Sequence, residues 1–279
     1  METIYLNKEN LSDWKNKAIS NVMALGYFDG LHRGHCKVIE TARLKAIEKG
    51  LPLTVMSFLP HPKTVLSDGK EQVHYLMPLS EKEEKLQDMG VDVFIIVEFN
   101  KGFAGLLPEQ FVSKYLIDLG VVHAVAGFDF SYGYKGAGNM DRLESDSAGR
   151  VEATKVAKVT YLGEKIGSTC IRERLLEGIV EDLPFLLGHA YEVKCQWDGT
   201  FLKPTPAYTL PAAGSYAVTL KNEWRSAYTE LSLTEQTGGI SLVCNSQLKV
   251  FEEGPLTVIW HSRIVEDAAM NAGVRPITG

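Results

Sequence analysis

Several things are scarce in this chain, and each scarcity removes a class of protein. Its four cysteines, Cys36, Cys170, Cys195 and Cys244, lie far apart with no C-x-x-C pair. That spacing excludes a disulfide framework and suits free thiols in a reducing cytoplasm. Basic residues are in the minority, with 29 Lys and Arg against 35 Asp and Glu and a formal charge of −6. No electrostatic case exists for nucleic acid or an anionic membrane as the main partner. No apolar run approaches membrane length, and Met1-Glu2-Thr3-Ile4-Tyr5 lacks the basic-then-apolar order of a signal segment. Internal repeats and low-complexity tracts are also missing. What this leads one to expect is a cytoplasmic, globular chain long enough for one large or two modest domains.

Against that background one stretch stands out. Gly26-Tyr27-Phe28-Asp29-Gly30-Leu31-His32-Arg33-Gly34-His35 follows the apolar run Val22–Leu25 and leads into Cys36–Lys49, an amphipathic pattern closed by Gly50. Strand, glycine-rich turn and helix in that order aim backbone N–H groups and a helix N-terminus at one spot, which favours an anion. Gly34 leaves the backbone open to a phosphate. His32 and His35, three residues apart, would point at the same group, each donating a hydrogen bond or a charge. Two histidines near a helix end also occur as ordinary surface or core residues. Zinc held by His32, His35 and Cys36 is the weaker alternative, since no second cluster with ligand spacing follows.

The rest of residues 1–188 alternates strands with helices. A leading strand and a helical turn over Leu11–Ala18 come first; Leu53–Phe58, Val93–Val97 and Val121–Ala126 read as further strands. Ser80-Glu81-Lys82-Glu83 has the capping-box spacing and predicts a helix start at Ser80, with Gly90 at its end. Pro108 and Gly120 bracket another helix. Ser168 and Thr169 suit the N-cap of a helix over Cys170–Glu177, and a short helix follows over Glu181–Leu187. This alternation predicts an α/β domain with a Rossmann-like parallel sheet, whose ligands sit beyond the carboxyl ends of the strands. His32, His61 and Asp129 all fall just past a predicted strand end. Residues 189–279 change texture: Tyr191–Trp197, Ser215–Leu220, Ala227–Leu233, Ile240–Cys244 and Leu256–Trp260 are β-like runs, giving a small antiparallel β domain. Helical periodicity returns only over Val265–Asn271.

The opening stretch resembles the G-x-F-D-G-x-H-x-G-H signature of bacterial FAD synthetases, the adenylyltransferase half of the bifunctional riboflavin kinase/FAD synthetase family. Phe58-Leu59-Pro60-His61-Pro62 is similar to the family's F-x-P-H-P, Gly127-Phe128-Asp129-Phe130 to its G-x-D-F loop, and Ile166-Gly167-Ser168-Thr169-Cys170-Ile171-Arg172 to its I-S-S-T-x-I-R. Gly167 departs from the first serine and Cys170 from the usual arginine. The resemblance implies FMN adenylyltransferase activity, with ATP and FMN as substrates and Mg²⁺ carried mainly by substrate phosphates instead of a protein metal site. It implies catalytic roles for His32, His35 and Arg172. It also implies phosphate contacts at Gly26, Phe28, Asp29, Gly30, Gly34, Ser168 and Thr169, and a flavin pocket bordered by Phe58, His61, Pro62, Phe128 and Asp129. In the β domain, Leu210-Pro211-Ala212-Ala213-Gly214-Ser215-Tyr216-Ala217-Val218 resembles a flavokinase segment, but Lys203-Pro204-Thr205-Pro206-Ala207-Tyr208 breaks the G-x-P-T-A-N pattern that precedes it. The implied domain is a degenerate riboflavin kinase module without kinase activity. Two alternatives stay open: a sister adenylyltransferase acting on another phosphate ester, and a non-catalytic flavin- or nucleotide-binding regulator.

Overall fold

The structure, a computed structural model, describes residues 1–71, 73–199, 201–204, 208–236, 239–244 and 251–264. The expected helix over Val265–Asn271 lies outside them. The chain divides into two compact units. The first comprises Met1–Arg172, Phe185–Gly188 and Ala207–Thr209, and the second Glu173–Pro184, His189–Pro206 and Leu210–Gly279.

Six strands of the first unit form one sheet among the described residues: β1 Glu2–Leu6, β2 Asn21–Leu25, β3 Leu53–Leu59, β4 Val93–Glu98, β5 Val121–Gly127 and β6 Glu152–Val156, in the order β1-β4-β3-β2-β5-β6. Every pairing is parallel. Helix α1 (Leu11–Lys17) lies between β1 and β2 in the chain, and the strands read as unbroken apolar runs because both faces are covered. Met23, Leu25, Met56, Ile95 and Ala124 face one core, shared with Phe111, Val112, Tyr115 and Leu116. Val22, Ala24, Val55, Phe94, Ile96 and Val125 face the other, packed by α2 (Arg33–Lys49) through Val38, Ile39, Ala42 and Ala46 and by α4 (Leu79–Asp88) through Leu86. Successive residues of one strand thus serve opposite cores, as the strand period of two requires. The chain leaves β2 toward β3 on one side and returns to β5 on the other. The crevice where strand order reverses therefore opens past the ends of β2 and β5.

Local departures from the sequence reading have local causes. The helix expected at Ser80 starts at Leu79 with Pro78 at its cap and no side-chain cap bond, so the Ser80–Glu83 pattern is not a capping box in the fold. The helix between Pro108 and Gly120 is continuous but uneven: α-helical over Pro108–Phe111, widened to a π turn over Val112–Leu116 and tightened over Ile117–Leu119. The short helix near residue 181 is confined to Leu183–Leu187.

In the second unit β7 Tyr191–Trp197, β8 Leu202–Pro204, β9 Gly214–Lys221, β10 Ser226–Gln236, β11 Gly239–Cys244 and β12 Gly254–Ile264 close a barrel in the order β7-β8-β11-β10-β9-β12. All its pairings are antiparallel. Alternate residues fill it: Tyr191, Val193, Cys195 and Trp197 from β7; Tyr216, Val218 and Leu220 from β9; Leu256, Val258 and Trp260 from β12. Tyr216 meets the fully buried Trp260 edge-on, with centroids 5.1 Å apart. Neither the three-residue β8 nor β6 of the first unit is announced by the sequence pattern.

Gly120 ends the uneven helix with φ +74°, and a Cβ there would lie 2.3 Å from the Ile19 carbonyl oxygen. Gly50 ends α2 at φ +64° with nothing within 4 Å. Both replacements by alanine strain the backbone, but only one collides. Gly50→Ala is expected to cost about 1 kcal/mol and Gly120→Ala about 3 kcal/mol or more, read from urea unfolding midpoints.

Candidate active site

The turn after β2 is built around a buried carboxylate. Phe28 and Leu31 adopt positive φ (54° and 42°), as does Gly30 (78°), and this folds Asp29 inward until it is fully buried. The Phe28 ring lies back over Gly26, where a Cβ would come within 2.9 Å of it. Both Asp29 oxygens accept from the Leu76 N–H at 3.0 and 3.2 Å, and one pairs with the Arg172 guanidinium. Burial pushes the Asp29 carboxyl above its ordinary range, and Arg172, Lys82 and the Leu76 and Met77 N–H groups oppose that rise.

The two histidines follow directly. His32 caps α2, so the helix begins at Arg33, three residues earlier than its apolar pattern suggests. Its Nδ1 accepts from the His35 N–H at 3.2 Å, an arrangement that places the ring proton on Nε2. The two rings stack with centroids 3.6 Å apart and planes 20° from parallel, and Phe28 meets His35 edge-on. A Cβ on Gly34 would lie 3.0 Å from the His32 ring, so the missing side chain makes room for this imidazole as well as for a ligand. His35 Nδ1 is buried without a hydrogen-bond partner among the described residues. Such a group calls for an incoming partner.

Neither histidine carries the charge that the spacing alone suggested. Burial lowers His32 to about 4, helped by Lys165 and opposed by Asp129. Burial lowers His35 well below its ordinary value, and His32, Lys82 and Lys165 add to the effect. At neutral pH the pair therefore offers N–H donors, not cations.

The second element arrives from far along the chain. Helix α5 (Ser168–Glu177) begins at Ser168, one turn position earlier than an N-cap role for that residue would place it. The Ser168 hydroxyl donates to the Asp29 carbonyl at 3.0 Å, and Arg172 Nε donates to the His74 carbonyl at 3.1 Å. Thr169 is exposed beside them. Asp29 thus joins the histidine turn to the serine–threonine–arginine turn.

Flanking groups stand on either side of β2. At the end of β3, His61 caps α3 (Pro62–Leu66) by accepting the Lys63 N–H at 3.1 Å, with Pro62 opening that helix. The Tyr27 ring meets His61 at 4.4 Å, and burial together with Arg172, Lys63 and Lys82 lowers His61 to about 4. Phe58 packs against Phe103, 5.6 Å away, at the margin of the core. At the end of β5, Phe128 is exposed beneath the Lys165 ammonium, 4.9 Å from its ring, and Asp129 pairs with that same ammonium.

Lys82 belongs to this site, although its sequence setting gives no sign of it. It is buried, donates to the Tyr27 carbonyl at 3.1 Å beside the Ser57 hydroxyl, and sits 5.2 Å from the Tyr27 ring. Burial pulls its ammonium down to about 8, with Asp29 acting against that shift. Among the described residues no three His, Cys, Asp or Glu side chains come together to hold a metal ion. Cys36 instead turns its thiol onto the Leu31 carbonyl, 3.0 Å away.

A parallel sheet whose switch-point turn carries a stacked histidine pair at a helix start, backed by a second helix start with hydroxyls and a guanidinium, defines a Rossmann-like α/β protein with its candidate site at the switch point. Residues 15–170 match the FAD synthetase family, and the chain belongs to it. It is 47% identical over 195 residues to a bifunctional riboflavin kinase/FMN adenylyltransferase of Listeria monocytogenes, covering 70% of this chain and 62% of that one. The corresponding Bacillus subtilis protein is 47% identical over 180 residues, covering 64% and 57%. A second Listeria monocytogenes protein, described as FAD synthetase, is 32% identical over 196 residues, covering 70% and 79%. The match thus spans less than two thirds of the two bifunctional relatives. Among solved structures, a Streptococcus pneumoniae protein described as a macrolide-efflux protein shares the fold with a TM-score of 0.83 at 25% identity, over 98% of this chain and 94% of that one. No helix among the described residues is long and apolar enough to cross a membrane.

The lowered histidines set the acid stability. His32 ordinarily titrates at 6.5 and is held near 4 in the fold, so its contribution is complete above pH 6.5 and is lost as pH falls toward 4. At about 1.4 kcal/mol per unit, that loss is on the order of 3 kcal/mol. The urea midpoint is expected to fall across this window in the wild type and less steeply in His32→Asn, whose amide oxygen keeps the cap without titrating. An NMR titration showing His32 charging near 6.5 would contradict this account.

Proposed function

We propose that the protein is an FMN adenylyltransferase. A 5′-phosphate oxygen of FMN attacks the α-phosphorus of ATP; the new P–O bond makes FAD, the α–β bridging bond breaks, and pyrophosphate leaves with that electron pair. The observation that carries this reading is the junction at Asp29, which sets the His32/His35 pair and the first turn of α5 side by side. The nucleophile is already an anion, so no covalent intermediate with the protein is required. The protein's task is placement and charge stabilisation.

In this reading the neutral His32 donates from Nε2–H to the triphosphate, and His35 gains the partner that its buried Nδ1 lacks. Arg172 meets the β- and γ-phosphates with the N–H groups not used by Asp29 and His74. The Ser168 hydroxyl proton is committed to the Asp29 carbonyl, so Thr169 is the hydroxyl that donates to phosphate. Lys82 and Lys165 supply positive potential behind and beside the histidines, and Mg²⁺ enters as part of Mg-ATP. Phe58, His61, Pro62, Phe128 and Asp129 border the flavin. The barrel carries no riboflavin kinase activity, because the chain breaks the G-x-P-T-A-N pattern at Pro206 and Tyr208.

Incubation of the protein with Mg-ATP and either FMN or riboflavin, followed by chromatography, tests the proposal. FAD is expected from FMN, and no FMN from riboflavin. His32→Ala and Arg172→Ala are each expected to lower kcat/KM at least about a hundredfold. FMN formed from riboflavin would restore the kinase to the barrel. Flavin bound without any product would favour the regulator.

A further inference from the structure

Tyr208 and Thr209 lie where the kinase pattern breaks, and the adenylyl-transfer reading leaves them without a task. Both are buried, at 6% and 8% exposure, and both belong to the first compact unit. The Thr209 N–H donates to the Tyr75 carbonyl at 2.7 Å. Its hydroxyl is shared between the carbonyls of His74 at 3.0 Å and Tyr75 at 3.1 Å. Tyr208 pairs with Tyr75 in a parallel bridge, and its phenol donates to Glu81 in the first turn of α4.

The segment they grip is irregular between α3 and α4 apart from that bridge, and two of its residues, His74 and Leu76, bond to the site. The His74 carbonyl that accepts from Thr209 also accepts from Arg172 Nε. Leu76, two residues on, donates to both oxygens of Asp29. Glu81 neighbours Lys82, whose ammonium holds the Tyr27 carbonyl. A short loop with few ladder bonds of its own drifts unless something fixes it. Here part of the fixing comes from a piece of chain more than a hundred residues away.

We propose that Tyr208 and Thr209 form a strap that positions the triphosphate-binding groups: Thr209 sets His74 and, through it, Arg172, while Tyr208 sets the start of α4 and Lys82. The proposal rests on the adenylyltransferase reading for the identity of its ligand. Neither residue touches substrate; both are positioning residues. The flavin-side groups at the end of β3 are held by α3 and the core, so the strap governs ATP and not FMN.

The test is titration of the full chain with Mg-ATP and, separately, with FMN. Thr209→Val keeps the shape and the backbone bond but removes both hydroxyl contacts. It is expected to weaken Mg-ATP about five- to tenfold, the scale of one hydrogen bond, with FMN affinity unchanged within about twofold. Thr209→Ser restores the hydroxyl and is expected to restore ATP affinity; Tyr208→Phe, which removes the bond to Glu81, is expected to weaken ATP in the same selective way. Unchanged ATP affinity in Thr209→Val and Tyr208→Phe overturns the strap. So does parallel weakening of both ligands with a falling melting midpoint, which is the mark of a merely structural role. Absence of FAD formation by the wild type overturns the reaction proposed above, while the titrations, which need no turnover, still decide the strap.

Discussion

The ion pair between Asp29 and Arg172 is the constraint on which the site depends. A carboxylate with no exposure is costly to bury, and it stays only where its oxygens are fully engaged. Leu76 donates to both oxygens, Arg172 supplies the counter-charge, and Lys82 adds its field. Buried pairs of this kind contribute little net stability compared with apolar packing, so their structural value lies in register. Three stretches of chain, the turn after β2, the approach to α4 and the first turn of α5, have to meet at one carboxyl group. Any slip of one leaves a charge buried without a partner, which disfavours near-miss arrangements far more than loss of apolar contact would.

That arrangement also explains how an acidic chain gathers cations at one turn. The overall charge of −6 gives no long-range attraction, so the positive potential is local and comes from Arg172, Lys82 and Lys165. Burial is the chief reason that the histidines stay neutral; Lys165 adds to it at both rings, and Lys82 and the neighbouring His32 add to it at His35. The division of labour is sensible: fixed cations supply field, and neutral rings supply directed N–H groups. Because the rings are uncharged, the turn avoids further like-charge repulsion, and His32 is free to act as a helix cap.

Much of this was legible in the sequence, and the rest was not for identifiable reasons. The parallel sheet followed from Val22–Leu25, Val93–Val97 and Val121–Ala126, because two-sided burial writes continuous apolar runs. The histidine turn was legible because glycine spacing constrains the backbone locally. Lys82 was hidden: within Ser80-Glu81-Lys82-Glu83-Glu84 it reads as an ordinary solvated helix residue, and only the Tyr27 carbonyl, 55 residues away, makes it a buried donor. The same run suggested a capping box because Ser80 and Glu83 have the right spacing, yet Pro78 fixes the helix start two residues earlier. The neutrality of His32 and His35 was likewise out of reach, since desolvation depends on what packs over the turn.

The proposed distinction between groups that touch phosphate and groups that place them also bears on Tyr208 and Thr209. The loop from His74 to Met77 has polar groups bonded on both sides: Asp29 and Arg172 on one, Tyr208 and Thr209 on the other. Without the second set, Asp29 and Arg172 rest on a loop held by fewer bonds. A stretch that has lost the G-x-P-T-A-N pattern can therefore still serve the proposed site, because helping to place Arg172 requires only hydrogen bonds at His74 and Tyr75 and no chemistry of its own.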